Sequence, residues 1–211
     1  MIYLYFRMIV ITAMITCLGC LAFPLFLFYD YNQITKNRKL PRSFFLIGCI
    51  LITAASAALV FGKDPLYYGL IPAAAAIFGI LAMLSLALLI FTLFFAFDFG
   101  GAYVGGSKNA LCRTGVYGAC RHPGVVLLFA FYVFTSASLS KPSLLIAGAA
   151  FTALNTIYVF VQDRCFFPKL YEDYGSYRVE VPFIIPNKAS LGKCIQFYKD
   201  NQFKRRGGKP R

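Results

Sequence analysis

Residues 65–97 read PLYYGLIPAAAAIFGILAMLSLALLIFTLFFAF and contain no charged side chain. A helix needs about 20 mostly apolar residues to cross the roughly 30 Å hydrocarbon core of a bilayer with its backbone hydrogen bonds satisfied. Because this run is longer than one crossing requires, we predict a spanning helix that is tilted, overshoots the bilayer, or begins only near Pro72. Proline suits the first turn of a helix.

Four other uncharged runs accompany this one, and they cover residues 8–29, 43–62, 123–140 and 142–162. The whole chain is 59% hydrophobic and 14% charged, whereas a soluble domain carries roughly 25% charged residues. We therefore predict an all-α integral membrane bundle of about five transmembrane helices. Pro24 should kink the first of them.

The 21 Lys and Arg residues are distributed unequally along the chain. With five spans, 18 of them fall on one side of the membrane, and the other side receives Arg7, Lys63 and Lys141. An excess of positive charge marks the cytoplasmic side. This bias predicts an external N-terminus and a cytoplasmic C-terminus.

No Pro/Ser-rich linker divides the chain, so we predict one transmembrane bundle over residues 1–186 and a basic cytoplasmic tail over 187–211. The tail has eight basic residues and one acidic residue, and Leu191, Ile195 and Tyr198 recur at helical spacing. It is either a short interfacial helix or a solvated tail that only fixes topology. The net charge is +13, and the basic residues flank apolar spans. This arrangement favours anionic lipid headgroups over nucleic acid as the partner.

Cysteine and histidine usage gives no support for a disulfide framework or a metal site. The chain has seven cysteines, an odd number, and a single histidine. Cys17, Cys20 and Cys49 fall inside predicted spans, where they would pack as small apolar residues. We therefore expect no bound metal.

Two polar stretches, residues 98–123 and 162–186, interrupt the apolar pattern on the predicted cytoplasmic side. Charged groups at or inside the end of a spanning helix are costly unless they are paired or hydrated. Arg121, His122 and Asp163 are therefore candidate functional residues.

These polar residues also have purely structural explanations. Arg121 can anchor a helix end to phosphate headgroups, and Tyr174 and Tyr177 can belong to an interfacial aromatic belt. A lone histidine such as His122 is often an ordinary hydrogen-bonded interface residue.

The order of short motifs over residues 111–186 favours the functional interpretation. Gly115-Val116-Tyr117 and Arg121-His122-Pro123 precede a hydrophobic hairpin, which is followed by Gln162-Asp163, Tyr174-x-x-Tyr177-x-x-x-Val181-Pro182 and Pro186. This ordered set resembles the isoprenylcysteine carboxyl methyltransferase / phospholipid methyltransferase superfamily of integral membrane methyltransferases.

The resemblance implies that the C-terminal half of the bundle binds S-adenosylmethionine without a Rossmann sheet. The implied cofactor-binding residues are Tyr117, Arg121, His122, Pro123, Gln162, Asp163, Tyr174 and Tyr177, with Arg121 and His122 as the catalytic pair. The sequence departs from the family pattern at Gln162-Asp163, where Glu-Glu is usual, at Val125 and at Tyr171.

The chemistry of the donor explains why such residues would be needed. S-adenosylmethionine carries a sulfonium, an ammonium and a carboxylate, so its site requires both signs of charge. Asp163 can accept a hydrogen bond from the ammonium or the ribose, and Arg121 or His122 can meet the carboxylate. We expect the stretch that enters the fourth span and the stretch that leaves the fifth to enclose the donor together.

The methyl acceptor stays open at this point. A phospholipid amine, an isoprenylcysteine carboxylate and a small thiol all fit, although the apolar run 157–161 lacks the basic residues expected to hold a substrate carboxylate. Two other classes of protein also remain, a sterol-type membrane reductase with a nicotinamide cofactor and a non-catalytic scaffold or transporter. Against a transporter, the predicted spans show neither buried charge nor an evident inverted repeat.

Overall fold

The computed structural model describes residues 2–35, 43–64, 68–94 and 113–205. Every regular element in these four ranges is helical and none is a strand, which confirms the all-α prediction. The first predicted basic loop, with Lys36, Arg38, Lys39 and Arg42, lies outside the described residues, as do Lys108, Cys112 and the beginning of the polar stretch 98–123.

The α-helices are α1 (Ile2–Cys20), α2 (Ala22–Thr35), α3 (Ser43–Phe61), α4 (Pro72–Phe94), α5 (Val116–Ala119), α6 (Pro123–Leu139), α7 (Pro142–Val161), α8 (Phe167–Leu170), α9 (Tyr174–Glu180) and α10 (Lys188–Arg205). A π-helix over Gln162–Phe166 links α7 to α8.

Four helical segments are long and apolar enough to cross a membrane: Tyr3–Thr35, Ser43–Phe61, Pro72–Leu93 and Pro142–Leu170. They confirm that this is a multi-pass membrane protein. Helix α6 is also apolar but has only 17 residues, fewer than the about 20 of a typical span. A total of five spans, with α6 as the additional one, therefore stays a prediction.

Prolines determine where several of these helices begin. Pro72, Pro123 and Pro142 are the first residues of α4, α6 and α7, positions where the missing N–H has no helical partner to lose. The predicted start of the third span near Pro72 is confirmed.

Pro24 acts differently, because it lies inside the first apolar run. It cannot donate to the carbonyl of Cys20, four residues earlier. The helix is interrupted at Leu21, between α1 and α2 and three residues before Pro24, and the kink itself stays a prediction.

The chain folds as two compact units. The first comprises Met1–Leu86 and Leu128–Phe166, and the second comprises Ala87–Leu127 and Phe167–Arg211. The core of the first unit contains Phe23, Ala55, Leu59, Tyr132, Leu144, Ala147 and Phe151.

Small residues bring the helices of the first unit close together. A Cβ atom on Gly148 of α7 would lie 2.2 Å from the Cβ of Tyr132 in α6, and one on Gly19 of α1 would lie 2.5 Å from the ring of Phe151 in α7. Such close approach is typical of membrane helix packing, where van der Waals contact supplies much of the association energy.

Polar side chains satisfy helix ends at the α3–α7 corner of the same unit. The Asp64 carboxylate accepts the backbone N–H of Ser143 at 3.1 Å in the first turn of α7. The ammonium of Lys141 donates to the carbonyl of Gly62 at 2.7 Å, just beyond α3. These bonds use terminal groups that have no partner within their own helices.

The second unit contains an aromatic cluster and the C-terminal helix. Tyr171, Tyr174, Tyr177 and Val181 are buried together, with Phe167 and Leu170 packed against them. Helix α10 packs on α5, and Asn187 and Ser190 exchange backbone and side-chain hydrogen bonds of 2.8 and 3.0 Å at its start. This reciprocal cap explains why α10 begins where it does.

Candidate functional site

The Arg-His-Pro motif lies in the connection between α5 and α6. Gly115 precedes α5 with a φ of 61°, and a Cβ there would lie 3.1 Å from the hydroxyl of Tyr198 in α10. Only glycine combines this backbone conformation with so close an approach. The connection ends at Pro123, so Arg121 and His122 immediately precede α6.

Backbone hydrogen bonds attach this motif to the end of the second polar stretch. The N–H of Arg121 donates to the carbonyl of Pro182 at 2.9 Å, and the N–H of His122 donates to the carbonyl of Phe183 at 3.1 Å. Pro182 follows α9 and ends the helical conformation there. Two sequence motifs about 60 residues apart are therefore in direct contact.

The Arg121 side chain reinforces this contact. Its guanidinium donates to the carbonyl of Arg178 in the last turn of α9, a carbonyl that lacks an intrahelical partner. Its Cζ atom also lies 5.6 Å from the centroid of the Phe183 ring, within cation–π range. A guanidinium carries five N–H donors, so this arrangement is compatible with a further carboxylate partner.

The His122 imidazole is buried among aromatic rings. Its centroid is 5.9 Å from that of Phe167 with the planes nearly parallel at 13°, and 5.1 Å from that of Phe183 at an interplanar angle of 75°. The residue is 7% exposed. Apolar aromatic neighbours on two sides fix the orientation of the imidazole.

Three tyrosines of the predicted site are also joined in this unit. The Tyr177 hydroxyl donates to the carbonyl of Tyr117 at 2.7 Å, and the Tyr117 hydroxyl donates to the carbonyl of Thr92 at 3.0 Å. Tyr174 packs at ring-centroid distances of 5.8 Å from Tyr177 and 5.4 Å from Phe167. These contacts connect α9, α5 and the end of α4.

Burial also changes the acidity of the thiol next to the motif. Cys120 is 2% exposed, and burial raises the pKa of its thiol to about 11, with a smaller increase from the nearby Cys194 and an opposing hydrogen bond from the His122 backbone. The thiol is therefore neutral at physiological pH.

Gln162 and Asp163 belong to the first unit, where both are buried. They are the first two residues of the π-helix, a rare conformation that is frequently found at functional sites. The Gln162 amide nitrogen lies 2.8 Å from a carboxylate oxygen of Asp30 in α2 and 2.7 Å from the hydroxyl of Tyr158.

The structure thus brings together Tyr117, Arg121, His122, Tyr174 and Tyr177 in the second unit, with Pro123 directly following His122 in the chain.

The sequence did not predict Phe167, Phe183 and Asp30 as neighbours of the predicted site residues. The predicted span 8–29 ends before Asp30, whereas the apolar helical segment Tyr3–Thr35 includes this acid, which is 4% exposed. The available signal was an acid directly after the uncharged run 8–29.

No protein-family model, curated protein or solved structure matches this chain. Within residues 2–35, 43–64, 68–94 and 113–205, no group of three or more His, Cys, Asp or Glu side chains is arranged to hold a metal ion.

Proposed function

We propose that this protein is an integral membrane methyltransferase that transfers a methyl group from S-adenosylmethionine to an apolar or membrane-associated acceptor. The observation that carries the proposal is the contact between the Arg121-His122 motif and the segment Pro182-Phe183. Two motifs that support the family resemblance only by their order in the sequence also meet in the fold.

The residues present fit the charges of this donor. Arg121 supplies a guanidinium beside an aromatic ring, which suits a carboxylate. Asp163 is buried in the first unit, and the family resemblance alone implies it as the acidic residue for an ammonium or a ribose hydroxyl. Phe167, Phe183 and Tyr174 supply aromatic faces, which attract cations such as a sulfonium.

When bound, S-adenosylmethionine supplies an electrophilic methyl group, whose bond to sulfur breaks as its bond to the acceptor forms. We assign Arg121 and His122 to orienting the donor, because correct positioning supplies much of the acceleration in such transfers. The apolar surroundings of His122 exclude water, which favours a reaction in which positive charge on sulfur disappears. For an ammonium or thiol acceptor, the imidazole of His122 can take the proton before the transfer, which frees the electron pair that attacks the methyl carbon.

An amine or thiol acceptor fits better than a carboxylate. Residues 157–161, which precede Gln162, contain no basic side chain, and the one polar group among them, the Tyr158 hydroxyl, is hydrogen-bonded to Gln162. A substrate carboxylate would therefore lack a cationic partner in this segment.

We further propose a topology of five spans, with α6 as the fourth, an external N-terminus, and both the active site and the C-terminus on the cytoplasmic side. The support is the charge bias of 18 basic residues against three. By its 17 residues, α6 is about 26 Å long. A helix of this length can span where the bilayer thins locally.

Helix α10 is the part of the second unit that we assign to the lipid surface. Leu191, Ile195 and Tyr198 form an exposed apolar stripe at spacings of four and three residues, with exposures of 44%, 54% and 40%. Lys188, Lys193 and Lys199 lie on the same helix. An apolar stripe with adjacent lysines fits the interface of a membrane with anionic lipids.

Calorimetric titration of the purified protein in detergent tests the donor assignment. Saturable binding of S-adenosylmethionine, without binding of a nicotinamide dinucleotide, is the expected result, and the opposite preference would support the sterol-type reductase instead. Binding of neither ligand would favour a scaffold and contradict the proposal.

The same titration tests the two assigned residues. His122→Ala and Asp163→Ala should each weaken donor binding about tenfold or more, because each removes a charged or polar contact to the donor. The exposed acid Glu172 offers a matched control, and Glu172→Ala should bind like the unaltered protein. Unchanged affinity in either site variant removes that residue from the donor site.

A further inference from the structure

Asp30 is a buried acid in a membrane-spanning segment to which the proposed chemistry assigns no role. It lies in α2, within the span Tyr3–Thr35, and is 4% exposed. Acidic side chains are rare at such positions, because moving a charge away from water is costly, and those that occur usually serve a function.

Asp30, Gln162 and Tyr158 form a closed ring of hydrogen bonds within the first unit. The Gln162 amide nitrogen donates to the Asp30 carboxylate at 2.8 Å and lies 2.7 Å from the Tyr158 oxygen. The Tyr158 hydroxyl in turn hydrogen-bonds Asp30. Both hydrogens of the amide nitrogen and the single hydroxyl hydrogen are thereby used.

This ring determines which way the amide faces. A carboxylate only accepts hydrogen bonds, whereas an amide has a donor end and an acceptor end. Asp30 therefore holds the nitrogen of Gln162 toward α2, and the carbonyl oxygen of the amide faces the opposite way. Without Asp30, either end of the amide could take that position.

Gln162 also opens the π-helix Gln162–Phe166, and the buried Asp163 is its second residue. A π-helix inserts an extra residue into the helical turn and so redirects the side chains that follow. The same local feature thus holds the fixed amide of Gln162 and the carboxyl group that we assign to the donor.

We propose that Asp30 is a positioning residue for the methyl donor. By fixing the Gln162 amide, it presents the carbonyl oxygen of Gln162 as an acceptor for a hydrogen-bond-donating group of S-adenosylmethionine, either its ammonium or a ribose hydroxyl. This inference rests on the proposed function and extends it to a residue outside the motifs of the sequence.

The test measures the affinity for S-adenosylmethionine after the acid and the amide are exchanged between positions 30 and 162. Asp30→Asn should weaken binding of S-adenosylmethionine about tenfold, because an asparagine amide no longer dictates the orientation of Gln162. Combining it with Gln162→Glu should restore the affinity to within about threefold of the unaltered protein. In the double variant, the amide introduced at position 30 can donate a hydrogen bond to one oxygen of the carboxylate introduced at position 162. The other oxygen of that carboxylate can again accept a hydrogen bond from the methyl donor.

An exposed copy of the same pairing provides the control. Gln196 donates to Asp200 at 2.9 Å on α10, and Asp200→Asn should leave both the donor affinity and the thermal midpoint unchanged. A purely structural role for Asp30 would lower the thermal midpoint of Asp30→Asn but leave the donor affinity of the folded variant unchanged.

Three outcomes overturn the inference: unchanged affinity in Asp30→Asn, failure of the double variant to recover affinity, or a loss of equal size in Asp200→Asn. If Asp30→Asn does not fold, the double variant alone decides, because it retains the hydrogen-bonded pair. An unaltered protein that binds no S-adenosylmethionine contradicts the proposed function itself, which is a distinct result.

Discussion

At the scale of single residues, Cys120 reports on the environment of the Arg-His-Pro motif without taking part in the proposed chemistry. It precedes Arg121 directly and is almost fully buried. Burial raises the pKa of its thiol to about 11, whereas an ordinary cysteine has a pKa of about 8.5. Only the thiolate reacts with alkylating reagents, so reactivity measures this environment.

We predict that Cys120 in the folded protein alkylates very slowly at pH 8, where about one thiol in a thousand is ionised for a pKa of about 11. Its rate should rise about tenfold per pH unit between pH 7 and 9.5, because the thiolate fraction grows without levelling off below the pKa. Peptide-resolved mass spectrometry after timed alkylation measures this, with the denatured chain as the control. A native rate that levels off near pH 8.5 would contradict the buried position.

The sequence could identify only those site residues that belong to a recognisable motif. Arg121 and His122 stand out because a charged residue and a histidine directly precede the proline that starts an apolar run. Asp30 does not stand out, because its role depends on Gln162, 132 positions away along the chain. Phe167 and Phe183 are two of 23 phenylalanines, and nothing local marks them as neighbours of His122.

At the scale of elements, α7 approaches α6 closely in the first unit through a glycine. A side chain on Gly148 of α7 would overlap Tyr132 of α6, which is 1% exposed and belongs to the core. Gly192 of α10 has nothing within 4 Å of its Cβ position. The same substitution should therefore have opposite effects in the two helices.

We predict that Gly148→Ala destabilises the protein by about 1–3 kcal/mol, the usual effect of overpacking. Gly192→Ala should be neutral or stabilising by up to about 1 kcal/mol, because alanine is the better helix former. Thermal midpoints of both variants in the same detergent measure the difference. Equal midpoints would mean that α6 and α7 do not pack as described.

Helix starts were more predictable than helix irregularities. Prolines mark the starts of α4, α6 and α7 because the chemistry of the first turn is local. The π-helix over Gln162–Phe166 has no comparable signal, since its polar residues Gln162, Asp163 and Arg164 predict only that the apolar run ends there. The first span extends well beyond the predicted residues 8–29, because Asp30 is accommodated by a partner in another helix.

At the scale of the whole molecule, the distribution of basic residues supports the proposed orientation in the membrane. Eight of the 25 residues in the tail 187–211 are basic. Polybasic segments next to a membrane gain about 1 kcal/mol per basic residue from anionic lipids. We therefore expect the tail to strengthen attachment to the membrane surface without contributing to the proposed methyl transfer.

Changing Lys204, Arg205 and Arg206 together to Gln should weaken binding of the isolated tail peptide 187–211 to vesicles that contain phosphatidylserine. The full-length variant should keep its donor affinity in neutral micelles. Vesicle sedimentation and calorimetry measure the two quantities, and a full-length variant that loses donor binding would contradict a purely lipid-facing role. Vesicles without anionic lipid are the control.

Composition alone established the membrane class, because 59% hydrophobic residues leave no soluble alternative. The division into two compact units could not be read from the sequence, since the boundaries fall inside apolar helices rather than in linkers. The packing of α10 on α5 depends on Gly115 and on contacts between distant segments. The helical spacing of Leu191, Ile195 and Tyr198 indicated a possible helix in the tail but not its packing partner.

The proposed methyl transfer from S-adenosylmethionine can be followed through both of its products. The most direct test is to incubate the purified protein with donor labelled in its methyl group, together with a total lipid extract and, separately, a panel of small thiols. We predict label in a lipid amine or a thiol, formation of S-adenosylhomocysteine in equal amount, and loss of both products in His122→Ala. Absence of label and of S-adenosylhomocysteine in every mixture, from a protein that remains folded, would rule out the proposed methyl transfer.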